Sequence, residues 1–356
     1  MVVVDADAHV DETDATWDFL DKEFEHFRPV TMAQVSEGNA NLPAGYNRSW
    51  FFDGTFRLRR VRDDERTSTT VETRELIDIE ARLRDMDALG IDIQVCYPTL
   101  FLRQISARPA VEVALKKSYN RWMASRCALS HSRLRWVALM PTLSMGECIK
   151  EMEFAKEHGA VGIFKKGIEA GHTAAHPYFN PLYDAANQLD LTICIHTASG
   201  DPNVTGIDQN TFSPWFTTYP ILDACVGLIE QRIPEKYPNL RFGFIEAMAS
   251  WVPFVMSELA ARRKGIGRIN AREANADLFK QYRFYTACQT VEDLPYIIKY
   301  TGEDQLVIGT DYTHADQSAD IEAMAEINRM GNEGFITQEQ ATKITGDNAV
   351  RLYNLG

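Results

Sequence analysis

The stretch Val2-Val3-Val4-Asp5-Ala6-Asp7-Ala8-His9 decides the fold. It opens as a continuous apolar run and ends in carboxylate and imidazole side chains. That pattern suits a parallel strand buried on both faces, with its C-terminal end opening into a site. Further strand-like runs lie at residues 91–98, 134–141, 160–164, 191–196, 240–246, 283–287 and 305–311. Amphipathic stretches alternate with them. In residues 75–89, Leu76, Ile79, Leu83, Met86 and Leu89 share one helical face. Others follow at 111–128, 145–158, 180–189, 215–233, 250–264, 291–300 and 316–330, with Gly90, Gly159 and Gly302 at expected helix stops. Eight strands alternating with eight helices predict an α/β fold, a (β/α)8 TIM barrel. A doubly wound sheet is the competitor, but no glycine-rich phosphate loop follows the first strand. Residues 10–73 are long for a strand–helix connection and rich in Trp, Phe and Arg, which predicts a lid insertion over the barrel mouth. Thr337-Gln338-Glu339-Gln340 is a capping-box pattern and predicts an extra C-terminal helix over 337–352. The chain, 1–356, reads as a single barrel domain.

Composition narrows the function. Among 356 residues, 45% are apolar and 24% charged, which excludes a disordered, collagen-like or coiled-coil chain. The net charge of −13 opposes nucleic-acid binding, and the densest basic stretch, Arg57-Leu58-Arg59-Arg60-Val61-Arg62, runs straight into Asp63-Asp64-Glu65. No run approaches the ~18 apolar residues of a membrane helix. The acidic start lacks the basic region of a secretory signal. Cys96, Cys127, Cys148, Cys194, Cys225 and Cys288 are scattered, without a C-x-x-C pair. Buried thiols in a reducing cytoplasm are therefore expected.

In a barrel, the strand C-terminal ends carry the site. Asp7 and His9 are two apart and share a strand face. His196 ends the fifth run, Glu246 the sixth and Asp311 the eighth. Imidazoles and carboxylates converging on one rim repel and desolvate badly without a cation. A divalent metal at Asp7, His9, His196 and Asp311 resolves this, and the mixed N/O donors suit Zn, Mn or Fe. His172 and His176 are four apart and can bind one metal if they lie on a helix; an exposed loop is the alternative. Lys165 can be carbamylated, bind a substrate carboxylate, or pair with Glu169. His314 can orient a ligand or act as acid or base. Trp50 and Phe52 of the insertion can cap a substrate, Arg103 can hold a carboxylate, phosphate or thioester tail, and Trp251 can line the pocket.

In this order and spacing the motifs are familiar. Asp5-Ala6-Asp7-Ala8-His9, then Glu80-Ala81-Arg82-Leu83-Arg84-Asp85-Met86-Asp87, Tyr178-Phe179-Asn180-Pro181-Leu182-Tyr183, Ile195-His196-Thr197, Phe244-Ile245-Glu246, Gly309-Thr310-Asp311-Tyr312-Thr313-His314 and Gly346-Asp347-Asn348-Ala349 cover nearly the whole chain. The chain resembles the amidohydrolase superfamily, specifically the amidohydrolase-2 group with its decarboxylases. That resemblance implies a metal-dependent barrel enzyme with ligands at Asp7, His9, His196 and Asp311. An acidic residue before His9, and Glu246 where many superfamily hydrolases have His, look more like the decarboxylase branch than amide hydrolysis. Lys166-Gly167-Ile168-Glu169 with His172 and His176 resembles the dinuclear non-haem iron or iron–manganese oxygenases of the same fold.

Two enzyme readings follow. In the first, a dinuclear Fe/Fe or Fe/Mn oxygenase uses O2 to hydroxylate a C–H bond of a small carboxylate- or thioester-bearing substrate. Asp7, His9, His172, His176, His196 and Asp311 are then the ligands, while Asp311, His314, Glu246 and Lys165 carry catalysis. The alternative is a mononuclear Zn or Mn enzyme performing non-oxidative decarboxylation or hydrolysis. A homodimer is expected, with no nucleic-acid or membrane partner. The extra histidines favour the oxygenase.

Overall fold

The computed structural model describes residues 2–33, 48–59, 64–198, 217–266, 276–314 and 318–356. Eight short strands with buried side chains form one parallel sheet in chain order: β1 (Val4–Val10), β2 (Ile93–Pro98), β3 (Leu134–Leu139), β4 (Ala160–Lys166), β5 (Thr192–His196), β6 (Phe242–Ile245), β7 (Phe284–Cys288) and β8 (Leu306–Ile308). Eight helices alternate with them: α1 (Ile79–Ala88), α2 (Pro109–Cys127), α3 (Met145–Glu157), α4 (Asn180–Leu189), α5 (Tyr219–Glu230), α6 (Trp251–Ile266), α7 (Leu294–Thr301) and α8 (Ala323–Glu333). The local reasons are visible in α1. Asp78 caps it by accepting from Ala81 N, Ile79, Leu83 and Met86 turn inward, and Gly90 follows its end at φ 68°. This is a (β/α)8 barrel, as the alternation predicts.

The barrel closes on a narrow seam. β8 ends at Ile308, and closure falls to the residues beyond it. Asp311 N donates to Asp7 O and His9 N donates to Tyr312 O, both at 2.9 Å, around a parallel bridge from Ala8 to Tyr312. Gly309 makes the approach possible. A Cβ there would lie 2.3 Å from Asp7 Cβ and 2.8 Å from Asp7 N and O. An irregularity in β1 between Asp5 and Ala8 shifts its register on β2. Asp5 therefore bonds Gln94 and Thr310, and Gln94 in turn meets Arg82 of α1. Asp7 and His9 face the barrel interior, His9 beside Tyr97 of β2.

Residues after β1 form two 3₁₀ segments (Asp14–Phe19 and Lys22–Phe27) and a three-stranded antiparallel sheet (Val30–Ala33, Arg48–Phe52, Thr55–Arg59). They are anchored on α2 and the segment leading into it. Ser118 Oγ donates to Thr16 O at 2.6 Å, and Asp53 meets Arg108 at 2.6 Å. Residues 34–47 and 60–63 of the expected lid, Arg60 among them, lie outside the described residues. At the other end, Thr337 and Gln340 form the expected capping box. The helical tail is less uniform than predicted: Gln338–Thr342 passes through a π-helical turn, Lys343–Asp347, into Asn348–Tyr353.

Candidate metal centre

Six side chains meet at the C-terminal ends of β1, β5, β6 and β8. They form two overlapping quartets: Asp7, His9, His196 and Glu246, and His9, Glu246, Asp311 and His314. His9 Nε2 lies 3.5 Å from Asp7 Oδ1, 3.6 Å from Glu246 Oε2 and 3.6 Å from Asp311 Oδ1. His196 Nε2 lies 3.6 Å from Asp7 Oδ1 and 3.2 Å from Glu246 Oε2. These spacings are long for charge-assisted hydrogen bonds. They lie within or about 0.1 Å above the roughly 3.0–3.5 Å edges of a ligand shell built with ~2.1 Å metal–donor bonds. Asp7 Oδ1, His9 Nε2, His196 Nε2 and Glu246 Oε2 are buried and form no hydrogen bond. Buried polar atoms are normally satisfied, so four such orphans facing one another fit a cation.

The supporting contacts suit ligation. His9 Nδ1 lies 2.9 Å from Pro98 O and His196 Nδ1 3.2 Å from Thr197 O. Carbonyls only accept, so each Nδ1 carries the hydrogen and each Nε2 presents its lone pair inward. Glu246 and Asp311 sit just past their strands at φ 54° and 51°. Left-handed backbone is unfavourable for a non-glycine residue, and here it turns both carboxylates to the rim. Ser318 Oγ stands 3.1 Å from Glu246 Oε1 and 3.0 Å from Asp311 Oδ2. Burial alone would raise the Asp7 carboxyl, but the imidazoles of His196 and His9 outweigh it and hold it at about 2. Burial would likewise lower His9, yet Asp7, Glu246 and Asp311 push it well above its ordinary value.

His314 completes the cluster. Its Nδ1 lies 2.6 Å from Asp311 Oδ1, its Nε2 3.2 Å from Thr99 Oγ1, and its ring stacks on His9 at 4.0 Å. Tyr97 and Phe164 pack against the His196 ring at 5.1 and 5.4 Å.

Other expected site residues stand elsewhere. His172 and His176 stack on each other at 4.1 Å in the hairpin after β4, and His176 is an exposed cap accepting from Tyr178 N. Neither belongs to a quartet. The segment is a hairpin and 3₁₀ turn rather than a helix, so the four-residue spacing does not aim both rings at one ion. Lys165 points away from the barrel interior. Its Nζ lies 3.6 Å from Glu169 Oε2 and 3.6 Å from the Phe179 ring centroid, and burial lowers its ammonium to about 8. Lys166, to which the sequence assigns no role of its own, shares the inner face with Phe164 and pairs in register with His196; strand alternation was the available signal. Trp50 and Phe52 are core residues, 2% and 3% exposed, with Trp50 edge-on to Trp17 at 5.7 Å. Trp251 is buried, donating to Met248 O and packing on Phe244. Arg103 is exposed and lines a crevice beside the mouth. All six cysteines are buried and free.

A parallel barrel with histidines and carboxylates gathered at one rim defines a class of barrel whose strand ends could hold a metal ion. The amidohydrolase-2 family model, described as amidohydrolase, matches residues 4–355, so the chain belongs to that family. Among solved structures it is similar to an amidohydrolase from Mycobacterium avium subsp. paratuberculosis, with TM-score 0.77, 14% identity and 99% of each chain covered. It is also similar to a dihydroxybenzoic acid decarboxylase from Polaromonas with bound manganese and the inhibitor 2-nitroresorcinol (TM-score 0.67, 17% identity, 99% of this chain and 97% of that one). A third is 5-carboxyvanillate decarboxylase from Sphingomonas paucimobilis (TM-score 0.63, 17% identity, 77% and 82% covered). Among the described residues no helix is long and apolar enough to cross a membrane.

Proposed function

We propose that the protein is a metal-dependent, non-oxidative decarboxylase of a small carboxylate-bearing molecule. The observation that carries this reading is the buried meeting of Asp7, His9, His196 and Glu246 donor atoms, with the Asp311–His314 pair beside them. Similar structures named as decarboxylases, one with manganese, support the reaction class and a Mn ion, and the mixed N/O donors would equally suit Zn. Held by Asp7, His9, His196 and Glu246, the ion would supply Lewis-acid charge to the substrate carboxylate and a neighbouring oxygen.

The remaining work belongs to side chains. Decarboxylation breaks the bond to the carboxyl carbon, releases CO2 and leaves a carbon that needs a proton. The Asp311–His314 pair, in contact at 2.6 Å, is placed to hold that proton and deliver it. Thr99 Oγ1 fixes the far side of the His314 ring, and stacking on His9 fixes its plane. Phe164 and Tyr97 give the floor an apolar surface that keeps water from the departing group.

One observation favours a second reading. The quartets overlap: with His9 Nε2 committed to one ion, Glu246, Asp311 and His314 are left as donors for a second, as a dinuclear iron or iron–manganese oxygenase requires. His172 and His176, standing outside both quartets, no longer support it. Elemental analysis and anaerobic turnover on a panel of hydroxybenzoic acids separate the two. About one Mn or Zn per chain and CO2 release without O2 are expected. Two irons per chain and an absolute O2 requirement would overturn the decarboxylase.

A further inference from the structure

The last helical turns of the chain, Asn348–Tyr353, pack under the barrel and bond to the strands whose far ends carry the rim. Leu352 O accepts from Thr192 Oγ1 at the start of β5 and from Arg241 Nε, 2.8 Å away, just before β6. Asn348 Nδ2 donates to Leu306 O of β8 at 2.6 Å. Tyr353 reaches furthest. It is buried, and its hydroxyl donates to Ala6 O at 2.7 Å and lies 2.6 Å from the Tyr97 hydroxyl. A carbonyl only accepts, so the single Tyr353 hydroxyl proton is committed to Ala6, and Tyr97 donates to Tyr353.

Both partners of Tyr353 lead to donors of the rim. Ala6 lies in the irregular part of β1, between Asp5 and Ala8, where the strand turns Asp7 inward. Tyr97 pairs in register with His9, and its ring centroid stands 5.1 Å from that of His196 and 6.0 Å from that of His9. Packing alone does not call for these hydroxyls, since a phenylalanine ring fills nearly the same space. A buried hydroxyl is costly unless it is bonded, and this pair is bonded to one another and to the backbone of β1. We propose that Tyr353 is a positioning residue for the metal rim, holding Asp7 through Ala6 and the His196 and His9 rings through Tyr97. The inference rests on the metal-dependent reading and deepens it. Affinity for the ion at the top of the barrel is set in part from below, by the last helix of the chain.

The test is manganese titration of the full chain followed by electron paramagnetic resonance, in which the free ion gives a sharp signal that binding removes. Tyr353→Phe keeps the ring and loses the hydroxyl. Its Kd for manganese rises roughly tenfold, the low end of what loss of a contact behind metal ligands costs, and the spectrum of the bound ion changes shape as the donors relax. Tyr183→Phe is the control. That tyrosine is equally buried and donates to Ala174 O at 2.6 Å, between α4 and the hairpin after β4. The control loses comparable stability in denaturant melts but keeps the wild-type Kd and bound spectrum. Tyr97→Phe, which leaves the bond to Ala6 in place, gives a smaller rise in Kd and carries the comparison if Tyr353→Phe does not fold. A folded Tyr353→Phe, or Tyr97→Phe in its stead, with the wild-type Kd and spectrum overturns the inference. An equal loss of affinity in Tyr183→Phe does so too, by tracing the effect to stability alone. A wild type that binds no manganese overturns instead the manganese centre on which the inference rests.

Discussion

Gly309→Ala tests whether the seam of the barrel and the metal rim are one structure. The added methyl would meet Asp7 Cβ at 2.3 Å and the Asp7 backbone at 2.8 Å. Relief to ordinary contact requires a displacement of about 1 Å between β1 and the residues after β8, in a close-packed interior. Overpacking of this kind costs about 1–3 kcal/mol. The two seam bonds, Asp311 N to Asp7 O and His9 N to Tyr312 O, stand to be lost at about 1 kcal/mol each. The expected destabilisation is about 3–5 kcal/mol, or roughly 4–7 °C in Tm for a chain of this length. Asp7 moves with the seam, so metal binding suffers as well. Manganese at a hundred times its Kd should stabilise the wild type by about 2.7 kcal/mol, and the same concentration should do little for the variant. Calorimetric melts with and without manganese read both effects. Gly243→Ala is the control: its Cβ would meet only the ends of Ile245 and Leu352 side chains at 3.2 Å, so it should keep the metal response. A Gly309→Ala enzyme that melts within a degree of wild type and binds manganese equally well would refute the link.

Three further outcomes are expected. His196→Ala should abolish stoichiometric metal by elemental analysis, whereas the double variant His172→Ala/His176→Ala should retain it. Trp50→Ala should cost about 3–5 kcal/mol in denaturant melts, as for a large buried aromatic, with kcat per folded enzyme unchanged; a lower kcat at constant stability would restore its role as a substrate cap. Burial raises the Glu12 carboxyl from 4.5 to about 7, against the N–H groups of Leu100 and Thr99 that it accepts. The folded state therefore binds this proton more tightly than the unfolded one. Its contribution is full below pH 4.5 and is lost as pH rises through 7, by roughly 3 kcal/mol. Glu12→Gln should flatten that fall in stability measured across pH 4–8.

Continuous apolar runs are a strong signal for buried parallel strands, which is why all eight were legible within a few residues. The last was overextended, from 305–311 to an observed Leu306–Ile308, because Gly309 and its successors are held against Asp7 rather than in regular pairing. The fourth was cut short, since Lys165 and Lys166 read as a polar stop although the strand carries both. At the site, two-residue alternation placed Asp7 with His9. The left-handed turns at Glu246 and Asp311 leave no mark in residue type, and the facing of Lys165 and Lys166 depends on where β4 ends. The error over His172 and His176 was one of period: spacing by four is informative only on a helix.

The seam also sets a timetable for making the protein. Asp5 and Thr310, bonded across it, are 305 residues apart. On a ribosome adding ~5–20 residues per second, roughly 15–60 s separate the emergence of the first strand from that of its partner. Until then Asp7 and His9 have no fixed geometry, and neither Glu246 nor Asp311 is at hand. A rim able to hold an ion is therefore assembled only once the last strand has emerged.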